Sequence, residues 1–202
     1  MRKTLVCLLS IAVVCWAGGS LYAAHSDYGC HNCHVPHHAA KPGDPNSGAS
    51  WGVPLWSTAQ TSDGLPSFTL YSSPTFDALA TDIGQPDGPT KLCLGCHDGS
   101  YIAFSYMPDS KAKFTAAEGL VRSHPVSFPY DTPLTTRVKV PGSLKVPTEM
   151  SGLGGTIAQD LLDDNGKLQF TSCHEVHAGG KDEHLLRFEY STAAFCRVCH
   201  NK

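Results

Sequence analysis

At 202 residues the chain has room for one domain, and nine cysteines and eleven histidines make it rich in side chains that ligate metals. A formal net charge of −3, with no basic patch anywhere along the sequence, argues against a nucleic-acid partner. Fourteen prolines and nineteen glycines disfavour long helices, so something other than packed helices has to fill the interior.

Residues 1–23 read as a secretory signal peptide. Arg2 and Lys3 form its positive end, Leu5 to Ala17 its apolar run, and Leu21-Tyr22-Ala23 its cleavage site. The run is 13 residues long, short of the roughly 20 that cross a bilayer. A lipoprotein anchor on Cys15 is the rival reading, and Val14, larger than the residue usual before such a cysteine, speaks against it. Cleavage removes Cys7 and Cys15, and the loss of Arg2 and Lys3 takes the formal charge from −3 to −5. No later stretch is apolar enough to span a membrane. Residues 24–202 are therefore expected to form a single exported, soluble domain, periplasmic or extracellular.

Residues 24–40 carry Cys30-His31-Asn32-Cys33-His34 together with His25, His37 and His38. Lys41 to Thr90 is dominated by turn signals, Pro-Gly, Asp-Pro, Asn-Ser-Gly and Pro-Asp-Gly. Trp51, Trp56, Phe68, Tyr71 and Phe76 punctuate it, and packing against porphyrin faces is favoured for them over an electron relay. Cys93-Leu94-Gly95-Cys96-His97 follows, then a loose link to Ser123-His124-Pro125-Val126-Ser127-Phe128. Arg137 to Val146 alternates around Pro141-Gly142 and predicts a small β-hairpin. Asp163-Asp164-Asn165-Gly166 lacks the further acidic ligands of a calcium loop and predicts a tight turn. Phe170-Thr171-Ser172-Cys173-His174 is next, and Lys181 to Ala194 predicts one helix delivering Cys196-Arg197-Val198-Cys199-His200.

Cys-x-x-Cys-His is the attachment sequence of a c-type haem. The two thiols add across the porphyrin vinyl groups, and the histidine puts a neutral imidazole on the iron. Three copies are intact; in the fourth, Phe170 stands where the first cysteine belongs. A zinc site needs four ligands on one ion and gives no reason for a histidine after every second cysteine. A thioredoxin-like pair needs βαβ surroundings, and a disulfide between residues three apart is strained. Cys173 is the odd thiol of an exported chain and needs a partner. Four haems c are expected, three held by two thioethers (Cys30 and Cys33, Cys93 and Cys96, Cys196 and Cys199) and one through Cys173 alone. The expected fold is mostly irregular and cored by cofactor, with short helices at the haem motifs and few short strands.

The second axial ligand decides whether an iron carries electrons or does chemistry. Seven histidines remain beyond His34, His97, His174 and His200, enough to close every iron. Of these, His31, His38 and His184 read as surface residues. His37 and His177 each lie three residues after a motif histidine. So short a link cannot pass round a porphyrin to its far face. If these two bind iron, each binds a different haem from its neighbour's and so clips two haems together.

The order of motifs resembles the small tetrahaem c-type cytochromes of the outer-surface nanowire type, the extracellular cytochrome filaments of Geobacter-like bacteria. The resemblance rests on Cys30 to His37, Pro54 to Trp56, Tyr71 to Asp77, Gly84-Gln85-Pro86, Lys91 to Gly99, His124 to Phe128, Thr171 to His177 and Cys196 to Lys202. It implies four bis-histidine haems in a continuous stack and subunits that polymerise head to tail. By the same resemblance His34, His97, His174 and His200 are the proximal ligands, and His37, His124, His177 and His25 the distal ones. His25 lies close to the expected mature terminus, on an arm from which it is expected to reach a neighbour's haem. Phe170 departs from the family pattern and leaves the covalent hold on the third haem in question. The expected role is electron transfer as a filament subunit, with a soluble periplasmic shuttle as the alternative. An enzyme would need an open axial position, and histidines here are in surplus.

Overall fold

Proline and glycine punctuation keeps every regular element short. The structure, a computed structural model, describes Cys30, Cys33, His34 and residues 67–78, 83–97, 119–177, 184–189 and 193–201. The expected signal peptide, His25, His31, His37, His38, Trp51, Trp56 and the side chain of Cys96 lie outside the described residues. Among the described residues no helix is long and apolar enough to cross a membrane.

The longest described helix is α1, Gly88–His97, which carries the second Cys-x-x-Cys-His sequence. It buries Thr90, Leu92 and Leu94. Helix α2, Thr132–Arg137, begins where Asp131 Oδ1 accepts from Leu134 N at 2.7 Å, with Pro133 in the first turn, where its missing N–H costs nothing. Helix α3, Ile157–Leu161, has Thr156 and Gln159 bonded in a reciprocal capping box. A two-stranded antiparallel sheet pairs β1, Phe128–Pro129, with β2, Lys167–Leu168. Helix α4, Phe170–Cys173, and a 3₁₀ turn, Cys196–Val198, carry the third and fourth copies of the motif.

Two apolar clusters hold these pieces. One gathers Phe128, Tyr130, Leu134, Ile157, Leu161, Leu168 and Val198 around the sheet. The other joins Phe68, Leu94, Leu120 and Val126, with Leu70 and Phe170 packed against it. Phe76 bridges toward the first, edge-on to Tyr71 at 5.6 Å and to Phe128 at 6.0 Å. These aromatics therefore pack on protein. Gly119, at φ +57°, lets residues 67–70 lie against it: a Cβ there would come within 2.5 Å of the Thr69 carbonyl oxygen.

The clusters are tied by a buried amide. Gln169 has no exposed surface. Its Oε1 accepts from Ser127 Oγ at 3.0 Å, while Nε2 donates to Asp87 Oδ1 at 3.1 Å and Asp163 Oδ2 at 2.8 Å. Its backbone N–H donates to Ser172 Oγ at 2.8 Å. Lys167 Nζ offsets charge by pairing with Asp87. Gly88, at φ +50°, opens α1 beside this amide, since a Cβ there would press to 3.0 Å on Gln169 Nε2.

Two expectations fail. No hairpin spans 137–146: Arg137 ends α2, and Val140 to Ser143 makes a turn with Gly142 at φ +73°. Leu144 bridges instead to His200, and Lys145 N donates to Cys199 O at 2.8 Å. The turn chemistry was legible, but the strand after it pairs with a distant partner. Nor is the described part of 181–194 a helix. Leu185 and Ala193 hold positive φ, and Leu186 bridges to His174 through Glu175 N to Leu185 O at 2.7 Å and Arg187 N to Cys173 O at 2.9 Å. Adjacent Leu185 and Leu186 are both buried, which an extended segment between two protein surfaces allows. The tight turn at 163–166 is present, with Gly166 N donating to Asp163 O at 2.8 Å and Asp163 Oδ1 taken by the N–H groups of Asn165 and Lys167.

Replacing Gln169 by Leu leaves Ser127, Asp87 and Asp163 without this partner and should cost about 3 kcal/mol in urea unfolding. Gln169→Glu keeps the shape but loses the donors and should cost a comparable amount at neutral pH. Losses below about 0.5 kcal/mol for both would show that the amide does not hold the fold.

Candidate functional site

Four short segments build the same local turn. His34 N donates to Cys30 O at 2.7 Å, His174 N to Phe170 O at 2.9 Å and His200 N to Cys196 O at 2.9 Å, while Cys93–His97 forms the end of α1. In one helical turn, positions i, i+3 and i+4 share a face. In the three intact copies the spacing thus puts two cysteines and a histidine at positions that share one side of the turn. The third copy keeps this backbone although its first cysteine is absent. There Phe170 turns to the second apolar cluster and its N–H bonds Thr90 Oγ1 at 2.9 Å.

The tertiary fold then brings histidines together in twos. The rings of His34 and His177 lie with centroids 6.0 Å apart and planes inclined at 39°. Those of His124 and His200 are 6.3 Å apart at 72°. A metal–imidazole bond of about 2.0–2.1 Å places two imidazoles on opposite sides of one ion with their centroids roughly 6.3 Å apart. Both pairs match that separation. Each pair joins a histidine that follows a second cysteine with one that belongs to no Cys-x-x-Cys sequence. His177 sits by His34, the motif histidine of another segment.

Tautomers are set by the backbone. His124 Nδ1 lies 2.9 Å from Pro125 O, and His174 Nδ1 lies 2.8 Å from His184 O. A carbonyl oxygen only accepts, so Nδ1 carries the proton and Nε2 presents the lone pair. Imidazoles that ligate metals are held in this way. Among the described residues no group of three or more His, Cys, Asp or Glu side chains could hold a metal ion. A tetrahedral zinc site needs four protein ligands; a porphyrin brings four nitrogens of its own and asks the protein for two. The donor set fits the second case.

Cys30, Cys33, Cys173, Cys196 and Cys199 are thiols rather than disulfide partners. Cys30 and Cys196 are exposed. Burial pushes the Cys173 thiol up to about 11, with the neighbouring Cys199 adding to the shift and Arg187 opposing it. Burial also raises Cys33, and raises Cys199 against the pull of Tyr130 and Lys145. An open cavity of about 570 Å³ borders the last motif between Lys145, Met150 and Arg197.

Sequence reasoning did not find the residues that seat these segments. Tyr130 Oη donates to Lys145 O at 2.7 Å and lies 3.3 Å from Cys199 O, anchoring the last motif. Burial, then the Cys199 thiol, pushes the Tyr130 phenol up and keeps it a donor. Sixty-nine residues separate Tyr130 from Cys199, and no local pattern marks the pair. His97 is half-buried at the end of α1, and His184 is exposed; His25 and His37 lie outside the described residues.

No family model matches the chain, and no curated protein or solved structure matches it.

The thiolate is the reacting form of cysteine, so a raised value means less reaction at any lower pH. In protein prepared with all thiols unmodified, Cys173 should alkylate at least about tenfold more slowly than Cys30 or Cys196 near neutral pH. Its rate should climb with pH and level off at about 11. Mass mapping after brief treatment with iodoacetamide measures this, and equal rates for the three thiols would refute the buried placement of Cys173.

Proposed function

We propose that this chain is an exported multihaem c-type cytochrome that passes electrons along closely spaced bis-histidine haems, and that it polymerises head to tail outside the cell. The observation that carries the proposal is the facing of His34 with His177 and of His124 with His200 at the separation of two imidazoles across one metal ion. Bound haem supplies four equatorial nitrogens and a one-electron ferric–ferrous couple.

The chain's own residues do the rest. Cys30 and Cys33, Cys93 and Cys96, and Cys196 and Cys199 hold porphyrin through paired thioethers, and Cys173 through one. His34 with His177 and His200 with His124 close two irons. With those two outer histidines assigned, His25 and His37 remain for His97 and His174. The link His174-Glu175-Val176-His177 then spans two haem sites through a few bonds and keeps their irons near each other. Imidazole on both sides of an iron leaves substrate no place to coordinate, which favours electron carriage over catalysis. Export is supported by the leader at residues 1–23, and polymerisation by the family resemblance and by His25. That histidine lies two residues beyond the expected cleavage site, on an arm free to reach a neighbour. Such a contact is heterologous and does not close, so it generates an open filament.

Intact mass of the denatured mature chain should exceed the polypeptide by four haems, one of them held by Cys173. All irons should be six-coordinate and low-spin, with carbon monoxide leaving the reduced spectrum nearly unchanged. Three haems with Cys173 open to alkylation would defeat the single thioether. Binding of carbon monoxide by a full haem equivalent would defeat complete bis-histidine ligation.

His25→Met should yield folded monomers with near-normal haem content, one altered iron per subunit and no filaments by electron microscopy. Unchanged filaments with an unchanged spectrum would show that His25 is neither ligand nor link.

A further inference from the structure

The short link between His174 and His177 carries a charge that iron ligation does not need. Glu175 Oε1 accepts from the backbone N–H of His177 at 3.0 Å and lies 3.7 Å from Nδ1 of the same residue. Its other oxygen, Oε2, meets Arg187 Nη1 at 3.1 Å. Arg187 is itself fixed, with Nε donating to Thr171 O at 2.7 Å and its backbone N to Cys173 O at 2.9 Å. Glu175 N donates to Leu185 O at 2.7 Å. The carboxylate is thus locked from both sides, and its side chain is only 25% exposed. His124 and His174 differ, since their Nδ1 atoms face neutral backbone carbonyls.

We propose that Glu175 and Arg187 form an electrostatic pair that positions His177, with the carboxylate lowering the reduction potential of the iron that His177 ligates. This rests on the reading of His177 as an iron ligand given above. Ferric iron carries one more positive charge than ferrous, so a carboxylate held against its ligand favours the oxidised state. Carboxylates beside Nδ1 also raise the basicity of ligating imidazole, and local charge is among the factors that set haem potentials. A separation of 3.7 Å exceeds a hydrogen bond, so the interaction is Coulombic and requires no proton transfer. Glu175 is partly buried while the His177 side chain is exposed, so solvent screens part of the interaction. Arg187 opposes the carboxylate and limits the shift. The pair therefore tunes the iron where His177 meets His34.

The test is a spectroelectrochemical titration of the full-length haem-loaded protein at fixed pH. Each iron takes one electron from the electrode, ferric to ferrous, and no bond or proton changes. Glu175→Gln keeps the size and an acceptor for the His177 N–H but removes the charge. The potential of the iron that His177 ligates should rise by the equivalent of about a tenfold change in that couple's equilibrium constant, or about 59 mV. Arg187→Gln leaves the carboxylate uncompensated and should lower the same potential, while Arg187→Lys stays near the parent. Opposite signs distinguish charge from mere loosening, which would move both variants the same way. Shifts of the same sign, or none in either variant with haem content and low-spin spectra intact, overturn this inference alone. A parent protein lacking bis-histidine haem spectra overturns the proposed function and this inference with it.

Discussion

The arrangement of the described residues depends on the side-chain amide of Gln169. One buried group satisfies Ser127 from the segment that follows His124, Asp87 from the start of α1, and Asp163 from the turn before β2. Its own residue immediately precedes α4 and the third motif. Any other arrangement of these segments would leave a buried donor or a carboxylate without a partner, at about 1–3 kcal/mol for each group. Segments that are individually too short to fold are therefore fixed relative to one another by a polar contact. The apolar clusters contribute cohesion on either side of it but little register, since hydrophobic burial has no direction.

The histidine pairs follow from this register. A turn of helix places each motif histidine on the same face as its cysteines, yet it says nothing about what stands opposite. His177 comes to His34 because the stretch after α4 is held by the Leu186 bridge and by Arg187. His124 comes to His200 because β1, just after it, pairs with β2, while Leu144 bridges the last motif. Under the proposed function this is an economical division. Short covalent motifs seat the cofactors, and the irregular chain between them supplies the second ligands and the local charge that tunes each iron.

Phe170 shows that the motif turn does not need a cysteine at its first position. Its carbonyl accepts from His174 N as Cys30 and Cys196 accept in their copies, while its ring packs against the cluster of Phe68, Leu94, Leu120 and Val126. The geometry of the turn is set by backbone hydrogen bonds.

The four motif turns and the turn at Asp163 to Gly166 were determined by the sequence alone. Each depends on residues no more than four apart, where spacing and local hydrogen bonding settle the conformation. Chain length alone also implies that His177, if it binds iron, binds a different one from His174. Only the tertiary structure decided that His34 faces His177 and that His124 faces His200, that Leu144 and Leu186 extend into bridges instead of a hairpin and a helix, and that Gln169, Tyr130, Glu175 and Arg187 seat the motifs. These contacts join residues as far apart in the chain as His34 and His177. Their partners are chosen by burial and by the satisfaction of polar groups across the fold, and neither leaves a periodic trace in the chain.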